Sequence, residues 1–153
     1  FKTYIHYAVQ KDDSIVWGFN NQYQLMIVDK DGKTVRKIVK DYDPIKITED
    51  DKKRFFEERR ALSTEEKKRY EFPEDYPAFY NISTDDEGRI FVWTYERDRD
   101  NNRYYDVFDS EGRYIAKINL RNNPIFWKKG RLYCVQEDRE GFHQVKRYKV
   151  SWE

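Results

Sequence analysis

The sequence contains very little cysteine or histidine. Cys134 is its one cysteine, which excludes an intramolecular disulfide, and His6 and His143 lie near opposite ends of the 153-residue chain. A zinc site needs three or four ligands, so these residues do not indicate one. Because Cys134 lies between Tyr133 and Val135 in an apolar stretch, we predict a buried structural thiol.

The chain also lacks an excess of charge of either sign. It has 30 lysine and arginine residues against 29 aspartate and glutamate residues, which gives a net charge of +1. We therefore expect no nucleic-acid partner and no attraction to an anionic membrane surface. No apolar run approaches the ~18 residues of a membrane span, so no transmembrane segment is predicted.

No signal peptide is recognisable in the chain, which begins at Phe1 rather than at a methionine. We interpret this beginning as that of a processed or partial product. On that interpretation an N-terminal signal, or further N-terminal sequence, has been lost.

Glycine and proline are scarce, with six and four residues. The sequence has no glycine-rich phosphate loop, no Gly-x-Ser-x-Gly nucleophile elbow and no Cys-x-x-Cys pair. It therefore offers no motif for nucleotide binding, serine hydrolysis or thiol redox chemistry. We assign no catalytic residue and no cofactor.

Aromatic residues, in contrast, are abundant: 13 tyrosines, 10 phenylalanines and 4 tryptophans. Disordered chains are poor in aromatics, so this composition predicts a folded domain, and these residue types favour strands. Several aromatics fall on predicted second or inner strands: Trp17, Trp93, Tyr95, Trp127 and Tyr133. We interpret them first as packing between sheets, with stacking against a sugar, peptide or aromatic ligand as the functional alternative.

A repeat runs through the second half of the chain. Residues 88–92 (Gly-Arg-Ile-Phe-Val) recur as residues 130–134 (Gly-Arg-Leu-Tyr-Cys), and Asn81 and Asn123 each precede the respective glycine by seven positions. The offset is about 42 residues, a period typical of a four-stranded propeller blade.

Acidic turns that end in glycine separate the strands, at residues 29–32, 85–88 and 109–112. Aspartate hydrogen-bonds the backbone two residues on and glycine supplies a positive φ, so each predicts a tight hairpin turn. Alternation between these turns predicts eleven strands, at 3–9, 14–19, 23–29, 34–39, 79–83, 89–95, 103–109, 114–120, 125–127, 131–137 and 143–150.

The predicted fold is all-β: a β-propeller segment of about three four-stranded blades, at 1–40, 77–121 and 122–153, the last lacking its outer strand. Residues 41–76 form an insert with two helices at about 45–72. Thr48 and Ser63 each precede an acidic residue by three positions, which is typical of a capped helix start, and Pro73 and Pro77 end the helical region. Because open rings leave unpaired edges, we expect missing N-terminal blades or a second copy to close this one.

Several strings carry a resemblance to a known family. They are residues 72–79 (Phe-Pro-Glu-Asp-Tyr-Pro-Ala-Phe), 85–92, 105–109 and 145–150. The chain resembles the C-terminal half of bacterial six-bladed β-propeller proteins of the NHL-like and TolB-like type, most strongly from residue 72 onward. The resemblance implies a six-bladed parent ring and an exported protein, periplasmic or secreted, with a lipid anchor in some members. The chain has about half the blades of that pattern.

The candidate binding residues lie where the long connections are expected. In a propeller, the connections at 41–76 and 96–102 fall on one face and the tight Asp/Gly turns on the other. The insert is therefore either a lid over the channel mouth or packed decoration. The residues that we assign to ligand binding are Trp93, Tyr95, Arg97, Arg103, Phe55, Phe56 and Arg59.

Two further groups have both a functional and a structural interpretation. His6 lies in an innermost strand, and some propeller lyases hold a metal on the ring axis, so His6 is a metal candidate; a hydrogen-bonded or solvated histidine is the alternative that we favour. Asp85, Asp86 and Glu87 could be calcium ligands or paired acids. Turn chemistry explains them better, because similar turns recur along the chain.

These observations leave three functional hypotheses. The first is an exported binding or scaffold module that takes a small molecule or a protein on the face bearing the insert. The second is a propeller-type lyase or hydrolase whose axial site is completed by missing blades. The third is a half-ring that pairs with a second copy or chain.

Overall fold

The computed structural model describes residues 2–59, 62–120 and 123–151. Strands dominate these ranges, and two short helices interrupt them. The elements, in chain order, are β1 (Ile5–Val9), β2 (Ile15–Phe19), β3 (Gln24–Val28), β4 (Thr34–Val39), α1 (Glu49–Glu58), α2 (Thr64–Lys68), β5 (Asn81–Thr84), β6 (Ile90–Arg97), β7 (Arg103–Phe108), β8 (Tyr114–Leu120), β9 (Asn123–Lys128), β10 (Arg131–Glu137) and β11 (His143–Lys149).

The eleven strands form three antiparallel sheets in which each strand pairs with its neighbour in the chain. Sheet one is β1-β2-β3-β4, sheet two is β5-β6-β7-β8, and sheet three is β9-β10-β11. The predicted division into two four-stranded units and one unit without an outer strand is confirmed. The described strands do not close into a single barrel. Membership of a six-bladed ring stays a prediction.

The acidic turns have the predicted build. The Asp85 Oδ1 atom accepts hydrogen bonds from the backbone N–H groups of Glu87 (3.0 Å) and Arg89 (2.9 Å), and Gly88 has φ +79°. Residues 98–102 form the same kind of turn, with Asn101 at φ 66°. The prediction of a long connection at 96–102 is therefore wrong. β6 continues to Arg97 and β7 begins at Arg103, so only a tight turn lies between the two strands.

Two apolar cores hold the sheets together, one on each side of sheet two. Between sheets one and two lie Val16, Leu25, Ile27, Ile38, Phe79, Ile82, Ile90, Val92 and Phe108. Between sheets two and three lie Phe91, Tyr105, Val107, Trp127, Leu132 and Cys134. Trp127 stacks on Phe91 with ring centroids 4.0 Å apart, and Cys134 is the buried thiol that its neighbours predicted. Successive side chains of a strand point to opposite faces of the sheet, so alternate residues of sheet two pack into different cores.

The sheets follow one another in sequence order, with their first strands side by side. β5 packs beside both β1 and β9, and the Thr84 hydroxyl donates to the Val9 carbonyl oxygen at 2.9 Å. Gly18 lets Phe79, just before β5, pack directly on β2, because a Cβ atom at Gly18 would lie 3.1 Å from the Phe79 ring and 2.6 Å from the Gln24 carbonyl oxygen on β3. The Asp86 carboxylate accepts from the backbone N–H of Lys129 at 2.8 Å, which joins sheet two to the hairpin of sheet three.

The insert carries the two predicted helices, each with a complete capping box. The Thr48 hydroxyl accepts from the Asp51 backbone N–H, and the Asp51 carboxylate accepts from the Thr48 N–H; Ser63 and Glu66 repeat this arrangement in α2. Neither helix is long and apolar enough to cross a bilayer, within the residues that the structure describes.

One face of sheet one is open to solvent although it is apolar. It is the face turned away from sheet two, and its most exposed side chains are Ile5 (64%), Tyr7 (66%), Val9 (56%) and Val39 (63%). Monomeric proteins rarely expose contiguous apolar patches of this kind, so this face is a candidate contact surface.

Candidate functional site

Aromatic rings and two arginines converge at the end of sheet two that carries the insert. Trp93 and Tyr95 lie on β6, Arg97 ends that strand, and Arg103 begins β7. Tyr80, just before β5, joins them: its ring centroid lies 4.4 Å from that of Trp93 and 5.7 Å from that of Tyr95. The structure therefore brings together four of the seven residues that the sequence assigned to ligand binding.

A bulge in β6 produces this convergence. Trp93 pairs with Tyr105 and Arg97 pairs with Arg103, so β6 takes four steps where β7 takes two. Within the bulge, the buried Thr94 hydroxyl donates to the Tyr104 carbonyl oxygen at 3.1 Å. Bulges re-aim side chains at the ends of sheets and next to functional sites.

Arg103 is the central residue of the cluster. Its guanidinium carbon lies 4.5 Å from the ring centroid of Trp93 and 5.0 Å from that of Tyr80. Burial, and then the charge of Arg97, lower the pKa of Arg103. Cation–π contact offsets part of the cost of removing this charge from water.

The tyrosines around Arg103 are themselves partly desolvated. Burial raises the pKa of Tyr95 to about 12, so the phenol stays protonated at neutral pH. A small cavity of about 20 Å³ next to Tyr95 has room for little more than a water molecule. The cluster is therefore a surface site formed by rings and guanidinium groups, and a ligand would lie on it rather than be enclosed.

Tyr76 connects this cluster to the insert. Its ring stacks on Tyr95 with centroids 4.4 Å apart and an interplanar angle of 25°. Burial and hydrogen bonding to Asp51 raise the pKa of Tyr76 to about 12, and Asp51 in turn pairs with Arg54 on α1. The insert thus lies at the same end of sheet two as the cluster and is linked to it through one tyrosine.

The other three assigned residues form a separate cluster within the insert. The rings of Phe55, Phe56, Tyr70 and Phe72 pack at centroid distances of 4.6–6.0 Å. The Arg59 guanidinium carbon lies 3.8 Å from the Phe55 ring centroid. In the described part of the chain, no ring or cation contact joins these residues to Trp93, Tyr95, Arg97 or Arg103. Phe55 is buried, so its contacts form the small core that holds the helices in place.

His6 has the surroundings of a hydrogen-bonded side chain. Its Nε2 atom lies 3.1 Å from the Asn20 amide nitrogen, and its ring meets the edge of Phe79. Burial lowers the pKa of His6. Across residues 2–59, 62–120 and 123–151, no group of three or more histidine, cysteine, aspartate or glutamate side chains is placed to hold a metal ion.

Sequence reasoning missed two groups of residues. Tyr76 and Tyr80 complete the ring cluster, and their position around Pro77, just before β5, was the signal that could have found them. The second group is buried between sheets one and two, where Asp106 accepts a hydrogen bond from the Tyr23 hydroxyl at 2.7 Å and lies 3.3 Å from the Lys40 ammonium. An aspartate within an apolar strand was the signal for that group.

No protein-family model matches this sequence, and no curated protein matches it. The resemblance to six-bladed propeller proteins therefore stays a prediction.

Proposed function

We propose that the chain is a binding or scaffold module. It binds its ligand at the end of sheet two that carries the insert, on the cluster of Tyr80, Trp93, Tyr95, Arg97 and Arg103. One observation carries this proposal: a half-buried arginine lies over two aromatic rings next to a second arginine. Packing alone does not require a desolvated charge at this position, because apolar side chains of similar volume fill such space at lower cost. Aromatic rings and arginines are also the residues most enriched at binding hot spots.

Chemical-shift mapping tests this proposal. We expect that, in a fragment screen against the ¹⁵N-labelled chain, ligands shift the indole N–H of Trp93 and the amides of residues 95–103. The hairpin at residues 109–113, at the opposite end of β7 and β8, is the internal control and should not respond. Ligands that shift this hairpin and leave Trp93 unchanged would contradict the proposal.

We also propose that additional blades of a ring cover the outward face of sheet one and the free edge of sheet three. Two features support this. The outward face of sheet one is apolar and exposed at Ile5, Tyr7 and Val9. A groove of about 490 Å³ runs along the free edge of sheet three, between Ile118 and Leu120 on one side and residues such as Leu132 on the other. A fourth strand paired with β11 would fill this groove, as β4 and β8 complete the other sheets.

Light scattering distinguishes the sources of those blades. A second copy predicts a particle of twice the chain mass, which Tyr7→Lys should dissociate and Ile115→Lys, at an exposed position on β8, should not. A single chain in solution would refute pairing. An outward face of sheet one that stays solvent-accessible in the longest natural product of the gene would also refute covering by further blades. Export is proposed from the resemblance alone, and recovery of the protein in the cytoplasmic fraction of its source cell would refute it.

A further inference from the structure

Two positive charges face each other at the end of sheet two. Arg97 and Arg103 are direct cross-strand partners on β6 and β7. Like charges at such positions destabilise a sheet, because the two side chains leave the backbone only about 5 Å apart. A folded chain tolerates this arrangement more easily when an anion binds between the two groups.

The chain itself supplies no such anion among the residues that the structure describes. Arg97 donates to the backbone and side-chain oxygens of Asn101, and Arg103 makes no hydrogen bond and no ion pair there. The nearby Glu96 carboxylate binds the Lys117 ammonium, at 2.7 and 2.9 Å. Asp98 accepts hydrogen bonds within its own turn, from the Asp100 and Asn102 backbone.

Arg103 is thus a half-buried cation with five N–H donors and no acceptor in the described ranges. Such a group is costly in a folded protein unless a partner compensates the lost hydration. The rings of Trp93 and Tyr80 compensate part of the charge but accept no strong hydrogen bond. An oxyanion that accepts hydrogen bonds from the guanidinium would compensate the remaining cost.

From this geometry we infer that the cluster binds a small acidic ligand in which a carboxylate is attached to a ring. The carboxylate would accept hydrogen bonds from Arg103, with Arg97 close by, and the ring would stack on Tyr80, which is 42% exposed, or on Tyr95. Planar carboxylates match the arginine fork in a bidentate manner. A phosphate dianion would lose more hydration than a carboxylate on entering this aromatic site. The inference rests on the proposed function and adds the chemical class of the ligand.

Pairs of charged and neutral probes test this inference by calorimetry and by the Trp93 indole N–H signal. The pairs are benzoate with benzamide and glucuronate with glucose; acetate tests the need for a ring, and phenyl phosphate tests the choice of oxyanion. We expect at least one ring carboxylate to bind about tenfold or more tightly than its neutral counterpart and than acetate. Phenyl phosphate should bind more weakly than benzoate.

Variants at matched arginines complete the experiment. Arg103→Gln should weaken carboxylate binding about tenfold or more, whereas Arg113→Gln, which removes an exposed arginine paired with Asp109 at the far end of the sheet, should leave it unchanged. Arg103→Lys keeps the charge without the fork and should weaken binding several-fold while the chain still unfolds cooperatively. This variant keeps the test valid if Arg103→Gln does not fold.

The outcomes separate the two proposals. Neutral and charged probes that bind equally at Trp93 would overturn the carboxylate inference, but they would still support a binding site at this end of sheet two. Tighter binding of phenyl phosphate, or carboxylate binding that survives in both Arg103 variants, would also overturn the inference. If no probe or fragment shifts the Trp93 region, both proposals fail.

Discussion

Replacing Tyr23 with phenylalanine should destabilise the protein by removing one hydrogen bond to a buried carboxylate. Asp106 lies on β7 with no solvent exposure and faces sheet one, where it accepts from the Tyr23 hydroxyl at 2.7 Å. The Lys40 ammonium lies 3.3 Å from the same carboxylate oxygen. The substitution keeps the aromatic ring and its contacts with Phe79 and Phe108, so the change isolates the hydroxyl.

The expected magnitude follows from the charge of the acceptor. A hydrogen bond to a charged group contributes about 1.5–3 kcal/mol, and its loss leaves a buried acceptor unsatisfied. For a chain of this size, that corresponds to a fall in Tm of roughly 3–12 °C. The Asp106 Oδ1 atom has no hydrogen-bond partner within the described residues, and once the Tyr23 donor is lost, the Lys40 ammonium remains next to Oδ2.

Urea unfolding followed by tryptophan fluorescence provides the measurement. The midpoint should fall and the slope m should stay unchanged, because the surface exposed on unfolding is the same. Tyr42→Phe is the matched control: this half-buried tyrosine contacts Tyr23 and should change stability by less than about 0.5 kcal/mol. Repeating Tyr23→Phe in an Asp106→Asn background should give a smaller loss, since the acceptor is no longer charged.

Two results would refute this reasoning. An unchanged midpoint for Tyr23→Phe would show that the hydroxyl adds nothing to the junction of sheets one and two. Equal losses in the wild-type and Asp106→Asn backgrounds would show that the contribution of the Tyr23 hydroxyl does not depend on the charge of the Asp106 carboxylate.

Three further predictions concern pH, packing and capping. Burial and the charge of Asp106 raise the pKa of folded Tyr23 above its unfolded value near 10. The contribution of the Tyr23 hydroxyl to the free energy of unfolding is therefore fully present below pH 10 and is lost as the pH rises. The free energy of unfolding should therefore fall further between pH 9 and pH 11 for the wild type than for Tyr23→Phe, by about 1.4 kcal/mol over the whole range, and parallel profiles would contradict this. Gly18→Ala should lower the free energy of unfolding by about 1–3 kcal/mol, because its Cβ atom clashes with the Gln24 carbonyl oxygen. The control Gly32→Asn, in open space at φ +81°, should lower it by less. Equal falls in the urea midpoints of the two variants would count against the steric explanation. Thr48→Ala should destabilise α1 by about 1 kcal/mol, because it removes the N-cap hydroxyl. Amide hydrogen exchange should become faster in the insert and stay unchanged in sheet two, and the control Thr34→Ala should change neither stability nor exchange. Unchanged exchange in the insert of Thr48→Ala would argue against the capping role.

Local sequence was sufficient for the number, order and spacing of the strands. Turns such as the one at Asp85 and Gly88 depend on hydrogen bonds and dihedral angles within five residues, so their chemistry can be read without the rest of the chain. The same holds for the capping boxes at Thr48 and Ser63. The bulge at residues 93–97 was not predictable, because it depends on how β6 and β7 accommodate each other.

The candidate site shows the same division. Composition and position singled out Trp93, Tyr95, Arg97 and Arg103, but not that a bulge would bring their side chains together with Tyr80. Phe55, Phe56 and Arg59 have the same residue character, yet they pack within the insert.

By itself, then, the sequence determined three hairpin-built sheets and a capped helical insert, since those features are encoded by neighbours along the chain. Only the tertiary structure determined which rings contact Arg103, that Asp106 is buried, and which face of sheet one is exposed to solvent. Those outcomes depend on contacts between residues far apart in sequence, whose free energies arise only once the sheets are packed.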